Sequence, residues 1–225
     1  MIKAVLADID NTLLDFDKCA EYAMKCAFEE AGLQYTENAA EVFFRINTQL
    51  WNEIEKGNLD KAGLYKIRWR RIFKELKTEY DGEKFEMSFV KHLGDSYQTV
   101  DGAKDILDYL SDKYPLYAAS NGPQTEQINR LTNAGLVHYF KDIFTSERIG
   151  YQKPRREFFE GCFRKMDGVL PCETIIIGDS VNADIKGGKD SGLVTCFFNY
   201  KKMHSLQCLS ADYVVQTLDD IKNFL

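Results

Sequence analysis

The chain has little of what marks membrane, nucleic-acid-binding or secreted proteins. No apolar run in its 225 residues approaches the roughly eighteen that a membrane-spanning helix needs, so we expect no membrane contact. A net charge of −6 argues against binding to nucleic-acid polymers, whose phosphates require clustered Lys and Arg. The first predicted strand begins at residue 2 and leaves no room for a signal peptide, so a cytoplasmic location is expected.

Cysteine pairs at the spacing of redox or zinc sites are also absent. The sequence has no Cys-x-x-Cys and no Cys/His pairing at zinc spacing. Its six cysteines are Cys19, Cys26, Cys162, Cys172, Cys196 and Cys208. A redox or metal site is the alternative interpretation, but these spacings favour reduced thiols that pack as small apolar side chains.

Proline is missing from the first half of the chain, since all four prolines lie at or after Pro115. Between residues 15 and 98 the sequence is strongly charged, and apolar residues recur at spacings of three and four. That period is typical of amphipathic helices, and a glycine or a polar break follows each segment. We therefore predict four helices here, packed as a small bundle.

Helical patterns alternate with short apolar runs in the rest of the chain. The clearest strand is residues 174–177, which are β-branched and uncharged and precede Gly178-Asp179. The other predicted strands are residues 2–6, 115–119, 143–145, 194–198 and 213–215, and a last helix follows them. Strands that alternate with helices indicate a parallel sheet, so the helical stretch is an insertion into an α/β domain.

Acidic or polar residues follow several of the predicted strands. The carboxyl ends of parallel strands lie along one edge of a sheet, where ligands bind. We therefore expect the following side chains to gather there: Asp8, Asp10, Ser120, Asn121, Asp179 and Asp184. Lys153, just before a predicted helix start at Pro154, is expected at the same edge.

This set of residue types indicates phosphoryl transfer. Carboxylates that gather in one place repel unless a cation neutralises them, and oxygen ligands without His or Cys suit Mg²⁺. Ser120 and the amides that open the next helix could hold phosphate oxygens, while Lys153 could place a positive charge on a phosphate. A metal, an anion site and a nucleophilic carboxylate together provide the positioning and charge stabilisation that this reaction needs.

Four motifs, in this order, resemble those of the haloacid dehalogenase-like hydrolases whose helical cap is inserted after the first motif. The motifs are Asp8-Ile9-Asp10-Asn11-Thr12-Leu13, Ser120-Asn121-Gly122, Lys153-Pro154, and Gly178-Asp179-Ser180 with Asp184. The resemblance implies a Rossmann-like parallel-sheet core with helices on both faces, formed by residues 1–14 and 99–225. It also implies that residues 15–98 are a mobile, all-α, four-helix cap.

The resemblance further implies a Mg²⁺-dependent phosphomonoesterase that works through an aspartyl-phosphate intermediate. Asp8 would be the nucleophile, and Asp10 would be the general acid/base that protonates the leaving alcohol and then activates water. Ser120, Asn121 and Lys153 would bind the transferring phosphoryl group.

The implied metal site uses residues from the first and last motifs. Asp8, Asp179 and the backbone carbonyl of Asp10 would coordinate Mg²⁺. Asp184 would act on the metal through water or support its ligands.

The residue at position 11 is the clue to substrate, because the commonest first motif of this family has Gly where this chain has Asn11. A polar residue there, followed by Thr12-Leu13-Leu14-Asp15-Phe16, is similar to the nucleotidase branch. Members of that branch hydrolyse nucleoside 5′-monophosphates, often noncanonical pyrimidine ones. The implied partner is thus a small phosphorylated metabolite, a nucleoside monophosphate, with Asn11 and Phe16 as the candidate substrate-side residues.

Several alternatives stay open. A sugar-phosphate or phosphoglycolate phosphatase on the same scaffold comes next, and a phosphomutase is less favoured. A dehalogenase is disfavoured because a halide leaving group does not need the proton that Asp10 supplies. The complete motif set disfavours a catalytically silent binding module. The oligomeric state is left at a monomer or a small homo-oligomer.

Aromatic residues of the inserted stretch offer a further hypothesis. Trp51, Trp69 and Tyr65 could stack on a nucleobase. Trp69, however, shares a helical stripe with Ile72 and Phe73, which predicts a place in the core of the insertion instead.

Overall fold

The chain divides into two compact units. The computed structural model describes residues 1–166, 168–202 and 210–225. One unit joins Met1–Phe16 to Tyr97–Leu225, and the other is Asp17–Ser96. The division falls two residues inside each end of the predicted insertion, residues 15–98.

The smaller unit consists of helices, as the spacing of its apolar residues predicts. The helices are α1 (Phe16–Glu30), α2 (Glu37–Glu55), α3 (Lys61–Leu76) and α4 (Gly82–Asp95). A polar side chain before each of the last three accepts hydrogen bonds from amides of the first turn, which would otherwise lack a partner. These capping residues are Thr36, Asp60 and Asp81.

Trp69 is fully buried in the core of this unit, in agreement with its helical spacing. Its ring lies 4.2 to 6.0 Å, centroid to centroid, from those of Phe28, Phe43, Phe85 and Phe89. Aromatic pairs at such separations add to the stabilisation that comes from burial alone. Trp69 therefore holds the bundle together and is not exposed for stacking on a base.

A buried ion pair joins α3 to α4. The guanidinium of Arg68 donates to both carboxylate oxygens of Glu86 and, at 2.9 Å, to Oδ1 of Asn47 on α2. The two charged side chains are only 3% and 5% exposed. Burial raises the pKa of Glu86, although the charge of Arg68 opposes the shift. Removal of one partner would leave the other charge in apolar surroundings.

The larger unit is built on a six-stranded parallel sheet, which confirms the predicted α/β class. The strands are β1 (Ala4–Ala7), β2 (Leu116–Ser120), β3 (Phe140–Thr145), β4 (Thr174–Gly178), β5 (Val194–Phe198) and β6 (Tyr213–Val215). Their order is β3-β2-β1-β4-β5-β6. The order therefore reverses between β1 and β4, and ligands of such sheets bind at that point.

Helices cover both faces of this sheet because alternate strand residues point to opposite faces. Val5 and Ile175 belong to a buried cluster with Leu107 of α5 (Ala103–Ser111). Leu6 and Ile176 belong to a second buried cluster, on the other face, which contains Phe158 and Phe159 of a later helix. Among the residues that the structure describes, the other α-helices of this unit are α6 (Gln124–Asn133), α7 (Ser146–Ile149), α8 (Arg156–Phe163) and α9 (Gly187–Asp190).

Two predicted helices differ from the structure in their geometry. The helix predicted from residue 182 to 190 begins as a wider π-helical turn, Val181–Lys186, and only then continues as α9. The predicted last helix is a 3₁₀ turn, Asp219–Asn223. A segment of five residues is short enough for the tighter 3₁₀ hydrogen-bond pattern, which is common at chain and helix ends.

The described cysteines are free thiols. Cys19, Cys162 and Cys196 are buried, in keeping with their use as small apolar side chains. Cys208 lies outside the described residues. Within those residues, no helix combines the length and the apolar character that crossing a membrane requires.

Glu86→Gln is expected to lower the free energy of unfolding by about 3 kcal/mol, because Arg68 keeps its buried charge. The matched control is Glu83→Gln on the same helix, whose exposed carboxylate pairs with exposed Arg70. That change is expected to cost less than about 1 kcal/mol. Urea unfolding followed by tryptophan fluorescence measures both, and equal losses would contradict a special role for the buried pair.

Candidate active site

Asp8 lies directly after β1, at the edge of the sheet where β1, β2 and β4 end together. Its amide donates to the Ile177 carbonyl of β4 at 2.8 Å, so the strand pairing continues through this residue. Its side chain is only 11% exposed and accepts a hydrogen bond from Thr12 Oγ1 at 3.3 Å. The predicted nucleophile is therefore held in one orientation by the strand and the turn that follows it.

Lys153 is the buried cation of the site. Its Nζ donates to Asp8 Oδ1 at 2.6 Å, to Asp184 Oδ1 at 2.7 Å and to the Ala119 carbonyl at 2.7 Å. An ammonium has three donors, so each of them is used. Burial alone would lower the pKa of Lys153, but the charges of Asp184 and Asp8 outweigh it and raise the pKa. Lys153 therefore stays charged and joins the ends of three strands.

Three carboxylates face one another at this edge. Oxygen atoms of Asp8, Asp179 and Asp184 all lie within 4.8 Å of one another. Burial raises the pKa of Asp8 to about 7, and the charge of Asp184 adds to the shift while Lys153 opposes it. Burial, together with the charges of Asp8 and Asp184, raises the pKa of Asp179 well above its ordinary value. The Lys153 ammonium contacts two of these three carboxylates, so the contacts at the cluster leave an excess of negative charge.

Two residues of the last motif, Gly178 and Ser180, hold Asp184 in place. The Ser180 amide donates to Asp184 Oδ2 at 3.0 Å, and Lys153 contacts the other oxygen. A Cβ on Gly178 would lie 2.2 Å from Asp184 Oδ2, so only glycine leaves room for this carboxylate. Both oxygens of Asp184 thus have protein donors, which fits the predicted supporting role beside the metal ligands.

The hydroxyl of Ser120, the last residue of β2, accepts two hydrogen bonds. The donors are the Gly122 amide at 2.9 Å and Gln127 Nε2 at 3.1 Å. A serine hydroxyl has two lone pairs and one hydrogen, so these bonds use both lone pairs. The hydroxyl hydrogen is the atom that Ser120 can offer to a phosphate oxygen.

The side chain of Asn121 holds the backbone of Lys153. Its Oδ1 accepts from the Lys153 amide at 2.8 Å, and its Nδ2 donates to the Lys153 carbonyl at 2.9 Å. This two-way contact ties the loop after β2 to the third motif. The phosphate contact predicted for Asn121 stays a prediction, and its side chain has this other function in the structure.

Asp10 points its carboxylate to α6 and not to the three clustered carboxylates. Its Oδ1 accepts from Arg130 Nη1 at 2.6 Å, and its Oδ2 accepts from Gln127 Nε2 at 2.6 Å. Neither donor was predicted from the sequence. The helical spacing could have indicated them, because Gln127 and Arg130 lie three residues apart, on the face of α6 that also buries Leu131.

Asn11 has a backbone role that accounts for its residue type. Its φ is +60°, the left-handed region that favours glycine and that Asn tolerates better than most residues. Its Oδ1 accepts a hydrogen bond from the Phe16 amide at 3.1 Å, at the first residue of α1. Asn11 can therefore stand where this motif most often has glycine, because both residue types tolerate a positive φ. Substrate contacts of Asn11 and Phe16 stay predictions.

Comparisons with known proteins place the whole chain among related sequences. A model of the haloacid dehalogenase-like hydrolase family matches residues 2–192. The HAD-hydrolase YfnB of Bacillus subtilis is 33% identical over 223 residues, which are 99% of this chain and 95% of YfnB. A crystal structure of YfnB bound to magnesium has a TM-score of 0.94 and covers 100% of this chain and 98% of that one.

Two further relatives have names that state a substrate. Pyrimidine 5′-nucleotidase PynA of Streptococcus pneumoniae is 34% identical over 224 residues, 99% of this chain and 94% of PynA. Glyceraldehyde 3-phosphate phosphatase of Methanothermobacter thermautotrophicus is 30% identical over 210 residues, 88% of this chain and 86% of that protein. This chain is thus similar along its length to hydrolases of small phosphorylated compounds.

Asp8→Asn is expected to make the metal-free protein more stable than the wild type at pH 8 but not at pH 5. The pKa of Asp8 rises from 3.8 to about 7 on folding. Its contribution to stability is therefore full below about pH 4 and is lost as the pH rises through 7. Thermal unfolding in EDTA measures the effect, a Tm difference of a few degrees.

The control for this experiment is Asp112→Asn, which changes an exposed carboxylate at the end of α5. It is expected to leave the pH dependence of Tm unchanged. If Asp8→Asn behaved like this control, burial of the ionised Asp8 carboxylate would not limit stability.

Proposed function

This chain belongs to the haloacid dehalogenase-like hydrolases, and we propose that it hydrolyses small phosphate monoesters through an aspartyl-phosphate on Asp8. Its family agrees with the one that the four motifs indicate. The observation that carries the proposal is the buried ammonium of Lys153 between Asp8 and Asp184, at the carboxyl ends of β1, β2 and β4. An oriented carboxylate beside a fixed cation is what in-line attack on a phosphoryl group needs.

The first half of the reaction transfers the phosphoryl group to Asp8. A carboxylate oxygen of Asp8 forms a bond to phosphorus while the bond from phosphorus to the leaving oxygen breaks. The electron pair of the broken bond stays on the leaving oxygen, which takes a proton from the carboxyl group of Asp10. Lys153 and the hydroxyl hydrogen of Ser120 stabilise the charge on the phosphoryl oxygens.

The second half of the reaction returns Asp8 to its starting state. A water oxygen forms a bond to phosphorus and gives a proton to Asp10, now a carboxylate. The bond between phosphorus and Asp8 breaks, and its electron pair returns to the carboxylate. Inorganic phosphate leaves, and Asp10 again carries the proton that the next cycle requires.

The acidic cluster fits Mg²⁺, and we assign Asp8 and Asp179 as its ligands with Asp184 in support. All of these donors are carboxylate oxygens, the ligands that this ion prefers. Burial raises the pKa values of Asp8 and Asp179, and the charge of the neighbouring carboxylates adds to both shifts. Bound there, Mg²⁺ would neutralise the carboxylates and polarise the phosphoryl oxygens. The relative YfnB supports this assignment, because its structure is described as bound to magnesium.

A pyrimidine nucleoside 5′-monophosphate is the substrate that we propose. Support comes from the 34% identity to PynA over nearly the whole chain. The polar residue at position 11 supports it less than the sequence comparison does, because a positive φ and the bond to Phe16 already account for Asn11. The second candidate is a triose phosphate, which the 30% identity to a glyceraldehyde 3-phosphate phosphatase favours.

A panel of phosphate monoesters, assayed with Mg²⁺ and with EDTA, tests the substrate class. Pyrimidine nucleoside monophosphates are expected to have at least tenfold higher kcat/KM than glyceraldehyde 3-phosphate or phosphoglycolate, and EDTA is expected to abolish all turnover. A triose phosphate turned over tenfold better than any nucleotide would replace the first candidate with the second. Turnover in EDTA equal to that in Mg²⁺ would contradict the metal assignment.

Asp8→Asn is expected to lower kcat for the best substrate of this panel by more than about a thousandfold, because the amide cannot form the phosphoryl bond. That loss corresponds to about 4 kcal/mol in the activation barrier. Circular dichroism is expected to be unchanged, since the residue keeps its size. Asp112→Asn serves as the control with wild-type kcat, and kcat of Asp8→Asn within tenfold of wild type would exclude Asp8 as the nucleophile.

A further inference from the structure

We propose that Gln127 and Arg130 are positioning residues that hold the Asp10 carboxylate for proton transfer. The proposal rests on the proposed function, in which Asp10 gives a proton to the leaving oxygen and later takes one from water. It concerns two residues of α6 that lie in none of the four motifs.

Each oxygen of the Asp10 carboxylate has a donor of its own. Arg130 Nη1 lies 2.6 Å from Oδ1, and Gln127 Nε2 lies 2.6 Å from Oδ2. The Asp10 side chain is 30% exposed, whereas those of both donors are fully buried. A partly exposed carboxylate could otherwise rotate among several orientations. Two donors fixed by packing select one of them.

The position of α6 explains how these donors reach Asp10. The helix begins at Gln124, one residue after the second motif, and Gln127 and Arg130 lie about one turn apart on its buried face. Gly122 makes room for the first of them, because a Cβ there would lie 2.0 Å from Gln127 Nε2. Burial of an amide and a guanidinium is unfavourable unless both form hydrogen bonds, so their contacts with Asp10 offset that cost.

Gln127 also joins the proton carrier to the phosphate site. Its Nε2 donates to Ser120 Oγ at 3.1 Å as well as to Asp10. A carboxylate only accepts hydrogen bonds, so the amide must present its nitrogen and not its oxygen to Asp10. One amide group thus sets the distance between the group that moves the proton and the hydroxyl that faces the phosphoryl group.

Proton transfer is sensitive to such positioning because Asp10 acts twice. In the first half reaction its carboxyl hydrogen moves to the leaving oxygen as the bond from phosphorus to that oxygen breaks. In the second half its carboxylate takes a proton from water as the bond from phosphorus to Asp8 breaks. A misplaced carboxylate slows both proton transfers without changing how Asp8 attacks phosphorus.

The test compares two esters with different leaving groups, 4-nitrophenyl phosphate and ethyl phosphate, in the Mg²⁺-loaded enzyme. Nitrophenolate leaves without a proton, so formation of the aspartyl-phosphate from this ester does not need Asp10. The variants are Gln127→Leu and Arg130→Met, which remove the donors at similar size. Arg130→Lys keeps the charge and one donor, and Asn129→Ala changes an exposed residue of the same helix as the control.

In rapid mixing with 4-nitrophenyl phosphate, both variants are expected to release one nitrophenolate per enzyme in a burst. The burst is expected at the wild-type rate in Arg130→Met, which keeps the contact of Gln127 with Ser120. A steady rate at least tenfold below that of wild type is expected to follow, because hydrolysis of the aspartyl-phosphate needs a placed base. With ethyl phosphate, kcat/KM is expected to fall at least tenfold more than with the aryl ester. Arg130→Lys is expected to recover part of the loss, and the control to behave as wild type.

The positioning role is overturned if variants with wild-type Tm lose the same activity with both esters and show no burst. It is also overturned if they lose no activity at all. If Gln127→Leu does not fold, Arg130→Lys decides: a leaving-group-dependent loss supports the proposal, and an equal loss for the two esters rejects it. If the wild type hydrolyses neither ester and forms no phosphoenzyme, the proposed function itself fails. If the wild type forms phosphoenzyme and the variants have the same activity as the wild type with both esters, only the positioning role is rejected.

Discussion

The contacts of one ammonium, that of Lys153, define the site of this protein. Its three donors go to Asp8 after β1, to the Ala119 carbonyl of β2 and to Asp184 beyond β4. The ends of three neighbouring strands are thus joined by hydrogen bonds to a single buried atom. Asn121 fixes the backbone of the same lysine by two further bonds.

The same arrangement leaves the site electrostatically incomplete. Lys153 balances one negative charge among Asp8, Asp179 and Asp184, and the burial of Asp8 and Asp184 limits the screening of the rest by water. Interiors arranged for stability alone avoid such an excess, whereas a site that binds a cation and a phosphate group uses it. The Arg68–Glu86 pair in the helical unit is the contrasting case, because its two charges cancel and every contact serves the bundle.

Much of the fold was predictable because hydrophobic period is a local property of the chain. The six strands follow from short apolar runs and the four inserted helices from spacings of three and four residues, and strand ends marked the acidic residues of the site. The predicted last helix is a 3₁₀ helix of five residues, a type that the sequence pattern did not specify. Gln127 and Arg130 were missed because polar residues on a helix usually face water, and their burial depends on a distant strand.

By itself, the sequence determined the α/β order of elements, the four motifs and the family to which they belong. Each of these depends on residues close together in the chain, and local spacing is enough to predict them. Only the tertiary structure decided which partner each motif residue has: Lys153 for Asp8, the Lys153 backbone for Asn121, and α6 for Asp10. Those partners lie 32 to 145 positions away along the chain. They meet only because the parallel crossovers bring the strand ends to one edge of the sheet.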